Sequence, residues 1–208
     1  METNESSRWL TSEARAVDAV LTKMDEEEKR GSRAMRGDVS VLRRMSGRVP
    51  GEDARSTAVA IKLLSANGLP LKDVYVGGDG LTNGERAAVI SLALSAAAPR
   101  LAHAQDGRTF GGAFAEVVHS NENLAPLMKA MTYDEDLASL TYDLFRALRQ
   151  FGDVQLDYGQ LTNDLIKFQN PSKRKEMMTK WVTDSYYTMQ KINKSAKKAL
   201  SDDKENNQ

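Results

Sequence analysis

Cysteine is absent from all 208 residues, and with it go disulfide frameworks, zinc-thiolate sites and thiol nucleophiles. A reducing, cytoplasmic setting suits such a chain. Long apolar runs are missing as well. The longest, Ala87 to Ala98, is about a dozen residues, short of the roughly 18 to 20 needed to cross a bilayer. The polar start, with Glu2, Asn4, Glu5, Ser6 and Ser7, lacks the basic and apolar regions of a secretion signal. No membrane partner is expected. Histidine occurs only at His103 and His119. His119 shares helical spacing with Glu116 and Glu122, but a second imidazole and a thiolate are wanting, so no metal, no cofactor and no catalytic residue is expected. The carboxylates Asp134, Glu135 and Asp136 are accounted for by a capping box between Thr132 and Glu135 and by the helix dipole.

Net charge is also zero, with 29 basic and 29 acidic groups, which taken whole argues against an anionic partner. The sum conceals segregation. Residues 1–30 carry 5 basic and 8 acidic groups, 31–62 carry 7 and 3, 63–130 carry 5 and 6, 131–160 carry 2 and 6, and 161–200 carry 9 and 3. Since a ligand feels the local field, the two positive segments permit an anionic partner at two places.

Helical periodicity runs through nearly the whole chain and alternating β-branched runs are scarce. The expected fold is all-α, a two-lobed bundle of roughly eight to nine helices. A first helix spans Trp9 to Met24 and ends in the charged run Asp25 to Arg30. Gly31 to Gly37 reads as a loop or break, after which Asp38 caps a short helix to Val49. A third helix covers Asp53 to Ala66, and Leu71 to Gly84 is a surface loop. Its Gly77, Gly78 and Gly80 lack the lysine-serine partners of a phosphate-binding loop. Glu85 to Ala102 is an alanine-rich buried helix interrupted near Pro99. The glycine turn Gly107 to Gly112 marks the boundary between an N-terminal lobe, 1–110, and a C-terminal lobe, 111–200. In the second lobe Leu137, Leu140, Leu144, Leu148 and Phe151 form one stripe with Arg146 and Arg149 opposite, and a shorter helix runs from Asp157 to Phe168. Asn170 and Pro171 open the last helix, Ser172 to about Leu200, and residues 201–208 form a polar, disordered tail.

Two basic faces emerge from this layout. On the 38–49 helix, Val41, Leu42, Met45 and Val49 fill one arc of about 100°, and Arg43, Arg44 and Arg48 lie outside it. Arg33 and Arg36 approach from the preceding loop. Guanidinium groups suit bidentate contact with phosphate, although a solubilising face, or pairing with Glu26, Glu27 and Glu28 of the first helix, is an equal reading. On the last helix Met178, Trp181, Val182, Met189, Ile192, Ala196 and Leu200 form the apolar stripe. Lys173, Lys180, Lys191 and Lys198 line up on the far side, with Lys194 beside them. Tyr187 is the only aromatic clearly on a basic face, which favours backbone contact over base reading.

The N-terminal helix with Trp9, the Leu42–Arg43–Arg44 triplet, the alanine-rich helix and the glycine turn Gly107–Gly111 occur in a characteristic order. Leu127 to Lys129, Leu137 to Leu148, Leu156 to Leu165 and Trp181 to Tyr187 continue it. In this the chain resembles CasB, the small subunit of the type I-E CRISPR surveillance complex Cascade. The family's basic stretch after the glycine turn is replaced here by Glu116 to Glu122. The resemblance implies a non-catalytic, sequence-independent subunit of antiviral defence, present in two copies beside other Cascade subunits. It would hold guide RNA paired with target DNA and retain the displaced strand, the specificity coming from base pairing. Arg43, Arg44, Arg108 and Lys129 match positions that are basic in the family, and Lys173, Arg174 and Lys180 rest on helical spacing. Arg36, Arg48 and Arg146 complete the expected nucleic-acid contacts. The alternatives are a free-standing helical DNA-binding regulator and a structural adaptor that meets acidic proteins.

Overall fold

The Thr11 hydroxyl accepts a hydrogen bond from the Ala14 amide at 3.2 Å, and the first helix, α1 (Ser12–Lys29), begins there. The computed structural model describes residues 9–71, 80–98 and 103–205. Among the described residues eight more α-helices follow α1: α2 (Arg33–Met45), α3 (Ala54–Ser65), α4 (Asn83–Ser95), α5 (Phe110–Ser120), α6 (Ala125–Met131), α7 (Leu137–Leu148), α8 (Tyr158–Phe168) and α9 (Pro171–Glu205). A 3-10 turn, Glu122–Leu124, leads into α6. Among the described residues the only extended pairing is an isolated bridge between His103 and Leu156. The fold is all-α, as expected.

Side-chain caps set most of the starts. Asp53 accepts from the Ser56 amide before α3, and Asp157 from the Gln160 amide before α8. Such a cap contributes about 1 kcal/mol. Several boundaries differ from the sequence reading. The stretch expected as a loop, 31–37, is already α2 from Arg33, because Ser32 caps the Met35 amide and Gly37 is tolerated inside the helix. Asp38 is therefore not a cap, and Arg33 and Arg36 lie on the helix itself. The capping box sits at Thr82 and Glu85, at the head of α4, not at Thr132 and Glu135. Thr132 closes α6, and Asp136 caps α7 through the Ser139 amide. The alanine-rich helix ends at Ser95, earlier than expected, and Pro99 to Ala102 lie outside the described residues, as do Gly77 and Gly78. At the other end α9 passes Leu200 and runs to Glu205, so 201–205, read as tail, continue the helix, and 206–208 lie outside the described residues.

Helix α4 is the centre of the packing. From Ala87 to Ser95 every residue is buried, with α1, α3 and α8 against it. A helix that is apolar all round needs this enclosure. The buried core continues without a break from α1 to α9. Near its C-terminal end Phe110, Phe114, Phe151 and Trp181 stack as one aromatic group, with Phe110 and Trp181 centroids 4.9 Å apart. Here α5 lies tightly on α9, because Gly111 has no side chain: a methyl at that position would run into the main-chain carbonyl of Trp181. The Trp181 indole N–H donates to Asp164 Oδ2 at 2.7 Å, and Gln160 donates to Asp164 Oδ1 at 2.9 Å. At the opposite end the residues just before α1, Trp9 and Thr11, are tied down. The Thr11 amide and hydroxyl both donate to Asn163 Oδ1, at 3.2 and 3.1 Å, while Asn163 Nδ2 donates to the Trp9 carbonyl at 2.8 Å.

The apolar stripe of α9 is shorter than its periodicity. Met177, Met178 and Trp181 are buried, but Val182 is exposed, Met189 and Ile192 are half-buried and Ala196 is exposed. From Gln190 to Lys198 every side chain except Ile192 is exposed.

Candidate nucleic-acid interface

The arginines of α2 fall into two kinds. Arg43 donates through Nε to the Ala96 carbonyl at 2.8 Å, tying α2 to the end of α4, and Arg36 donates to the Gly31 carbonyl at 3.0 Å. Both line a cavity of about 560 Å³ whose wall also carries Asp25 and Glu28. Arg44 and Arg48 are exposed and form no salt bridge among the described residues. They stand near Asp53, whose carboxyl is held below its ordinary range first by the Ser56 amide and further by these two cations. Glu26 and Glu27 do not pair with the α2 arginines. They pair with Arg30 on their own helix, at 3.9 and 3.1 Å. The ion-pair reading of the arginine face is thus left with the carboxylates lining the Arg36 and Arg43 cavity, and Arg44 and Arg48 remain available to an outside anion.

A second cluster forms where α5 meets α9. Arg108, Lys180, Tyr187 and Lys191 line one groove of about 480 Å³ with Thr109 and Asp184. Arg108, from the near-neutral segment 63–130, and Lys180, from the basic segment 161–200, are thus brought together. Arg108 is not a free cation, since Asp106 and Glu116 take its Nε and Nη1 at 2.8 and 3.0 Å. Asp184 accepts from the Thr109 hydroxyl at 2.7 Å. Lys180 and Lys191 have no carboxylate within salt-bridge distance among the described residues, and they carry the positive field of the groove. Tyr187 exposes its ring beside them.

The remaining candidates separate. Lys129 on α6 and Lys173 on α9 are exposed. Arg146 pairs with Asp143 at 3.2 Å and lies 5.9 Å over the Tyr142 ring. Arg174 is folded back: its Nε donates to the Phe168 carbonyl at 3.0 Å and its guanidinium sits 4.6 Å over the Phe168 ring, so it caps the end of α8. Among the described residues no group of three or more His, Asp or Glu side chains is placed to hold a metal ion, and His119, Glu116 and Glu122 do not gather into one. No helix among them is long and apolar enough to cross a membrane.

Comparison with known families decides what this helical scaffold is. The model of the CRISPR-associated protein Cse2 family matches residues 38–187. The chain belongs to the Cse2 family. CasB from Thermobifida fusca superposes with a TM-score of 0.66 at 20% identity, covering 85% of this chain and 99% of that one. A chain of a CRISPR RNA-guided surveillance complex superposes at 0.65 with 22% identity, covering 88% and 99%. A Cse2-family protein from Thermus thermophilus gives 0.59 at 19% identity, over 82% and 97%. No curated protein matches the chain. The Cse2 match begins at Asp38, inside α2, and stops at Tyr187, inside α9. Arg43, Arg44, Arg108, Lys129 and Lys180 fall within it, and Lys191 lies beyond it.

Proposed function

We infer that this Cse2-family chain is a non-catalytic, sequence-independent nucleic-acid-binding subunit of a CRISPR surveillance complex. It holds guide RNA paired with target DNA, and the displaced strand, by their backbones. Other Cascade subunits and a second copy of the chain are its protein partners, and antiviral defence in the cytoplasm is its setting. The observation that carries the reading is family membership combined with exposed cations that form no salt bridge among the described residues: Arg44 and Arg48 on α2, Lys129 on α6, Lys173 and Lys180 on α9. Support also comes from the shared fold with a chain of an RNA-guided surveillance complex. Phosphates attract such groups without regard to sequence, and base pairing supplies the specificity.

Copurification tests the assembly. The protein should come off a column with a short RNA of uniform length and further subunits. Filter binding tests the contacts: roughly four to six phosphates give a slope of log affinity against log salt of about −3 to −5. Arg44→Ala with Lys180→Ala should reduce that slope by about one to two while leaving sequence preference flat. Binding that ignores salt, or that discriminates sequences about a hundredfold, contradicts the reading. Loss of protein neighbours with nucleic-acid binding intact favours an adaptor.

A further inference from the structure

The family match stops at residue 187, yet α9 continues for another 18 residues, about 27 Å at 1.5 Å per residue. That extension is not a neutral spacer. Between Ser185 and Leu200 the sequence has four lysines at 191, 194, 197 and 198 and no carboxylate. At 100° per residue Tyr187, Lys191 and Lys194 share one face with Lys180, and Lys197 falls beside Tyr186. Lys191, Lys194 and Lys197 are exposed and have no salt-bridge partner among the described residues. Lys191 and Lys194, and Lys194 and Lys197, are three residues apart, where like charges repel and weaken a helix. A polyanion along this face removes that repulsion. Two aromatic rings stand at its base, Tyr186 60% and Tyr187 58% exposed, edge to face at 5.8 Å.

We propose that the broad side of α9 that runs from Lys191 through Tyr187 and Lys194 to Lys197, about 120° of arc, is a binding site for single-stranded nucleic acid, additional to the part of the chain that the Cse2 family model covers. The inference rests on the nucleic-acid-binding reading above. Exposed tyrosines among lysines suit unpaired bases, which offer a face for stacking that a closed duplex withholds. An acidic protein fits the surface less well, because from Asn193 to Lys198 only Ala196 is apolar and a protein interface needs a desolvated apolar centre. The groove lined by Arg108, Lys180, Tyr187 and Lys191 leads the strand from the family-shared body onto this face.

The full chain is titrated with oligo-dT, with oligo-U of equal length and with duplex DNA. In Lys191→Ala/Lys194→Ala/Lys197→Ala the salt slope on oligo-dT should fall by about 2, from roughly 0.7 per lost phosphate contact, with affinity down about tenfold or more at low salt. Tyr187→Ser should cost about fivefold or more on the single strands and leave the duplex unaffected, while Tyr187→Phe stays within about twofold of wild type. All these positions are exposed, so thermal midpoints should not move, and oligo-dT should raise helix content in wild type but not in the triple variant. Equal effects on oligo-dT and oligo-U leave the sugar unread, and a difference assigns the site to DNA or RNA; either result supports it. A triple variant that binds oligo-dT like wild type overturns the proposal, as does one that keeps nucleic acid but loses a protein neighbour. If Arg44→Ala with Lys180→Ala weakens binding while the triple-lysine and Tyr187 variants do not, only this inference falls. If the intact chain binds no nucleic acid, the functional reading falls with it.

Discussion

Replacing Trp181 by phenylalanine tests how the C-terminal half of the core is held. Trp181 is fully buried, and its indole N–H is a donor to Asp164, itself buried between α8 and α9. Burial pushes the Asp164 carboxyl above its ordinary range, and the indole opposes that shift by favouring the charged form. Phenylalanine keeps an aromatic ring against Phe110 but deletes the donor. Leaving a buried acceptor unpaired costs about 1 to 3 kcal/mol, and the volume lost from a close-packed site adds roughly 1 kcal/mol. A loss near 3 kcal/mol in a chain of this size lowers the thermal midpoint by about 6 to 12 °C. The pH dependence has a definite sign. A carboxyl whose pKa is raised on folding binds its proton more tightly in the native state, so its contribution to stability is greatest in acid and declines as the pH rises from the unfolded carboxylate range through the folded value. Removing the indole raises that pKa further, so the Trp181→Phe loss should be larger at neutral pH than in mildly acidic buffer. Far-UV circular dichroism melts of Trp181→Phe, Asp164→Asn and the double variant close a thermodynamic cycle. The coupling should exceed about 1 kcal/mol, the neutral amide in part relieving the missing donor. Additivity within about 0.5 kcal/mol, with no change between the two buffers, would refute the reasoning.

Three further outcomes are expected. Gly111→Ala drives a methyl into the Trp181 carbonyl, and overpacking of this kind costs about 1 to 3 kcal/mol; a melt unchanged from wild type would contradict the close approach of α5 to α9. Arg43→Ala removes the hydrogen bond to the Ala96 carbonyl and should destabilise by about 1 kcal/mol, whereas Arg44→Ala should stay within about 0.5 kcal/mol, so parallel melts separate the arginine that ties α2 to α4 from the one proposed to meet phosphate. Asp134 is raised to about 6, first by desolvation and then by Asp143 and Asp136, so the folded state again holds the proton more tightly. Stability should therefore decline as the pH rises from the unfolded carboxylate range through about 6, and Asp134→Asn should flatten that part of a stability profile measured by denaturant titration.

Elements announced by local chemistry were legible in the residues alone. Asp53 before Ala54, Asp157 before Tyr158 and Pro171 at the head of α9 are starts that the first turn determines, and α4 betrayed its burial by being apolar on every side. What escaped depends on distant residues. The start of α2 was obscured because Gly31 and Gly37 flank it, although only Gly31 has a left-handed backbone, φ 75°. The stripe of α9 outran its burial because periodicity does not record how far a neighbour extends, and α5, only 11 residues long, lies across just part of a 35-residue helix. The basic residues show the same limit. Spacing placed Lys180 and Lys191 together, but it could not show that Arg108 is claimed by Asp106 and Glu116, or that Arg174 turns back onto Phe168.

The clasp between Trp9, Thr11 and Asn163 has a consequence for how the chain is born. Its partners are 152 and 154 residues apart, so the first helix leaves the ribosome long before α8 exists to receive it. At about 5 to 20 residues per second the wait is roughly 8 to 30 s, during which Val17, Val20 and Leu21 lack part of their final cover. Carboxylates along the same helix, Asp25 to Glu28 among them, keep that nascent segment soluble until α4 and then α8 close over it.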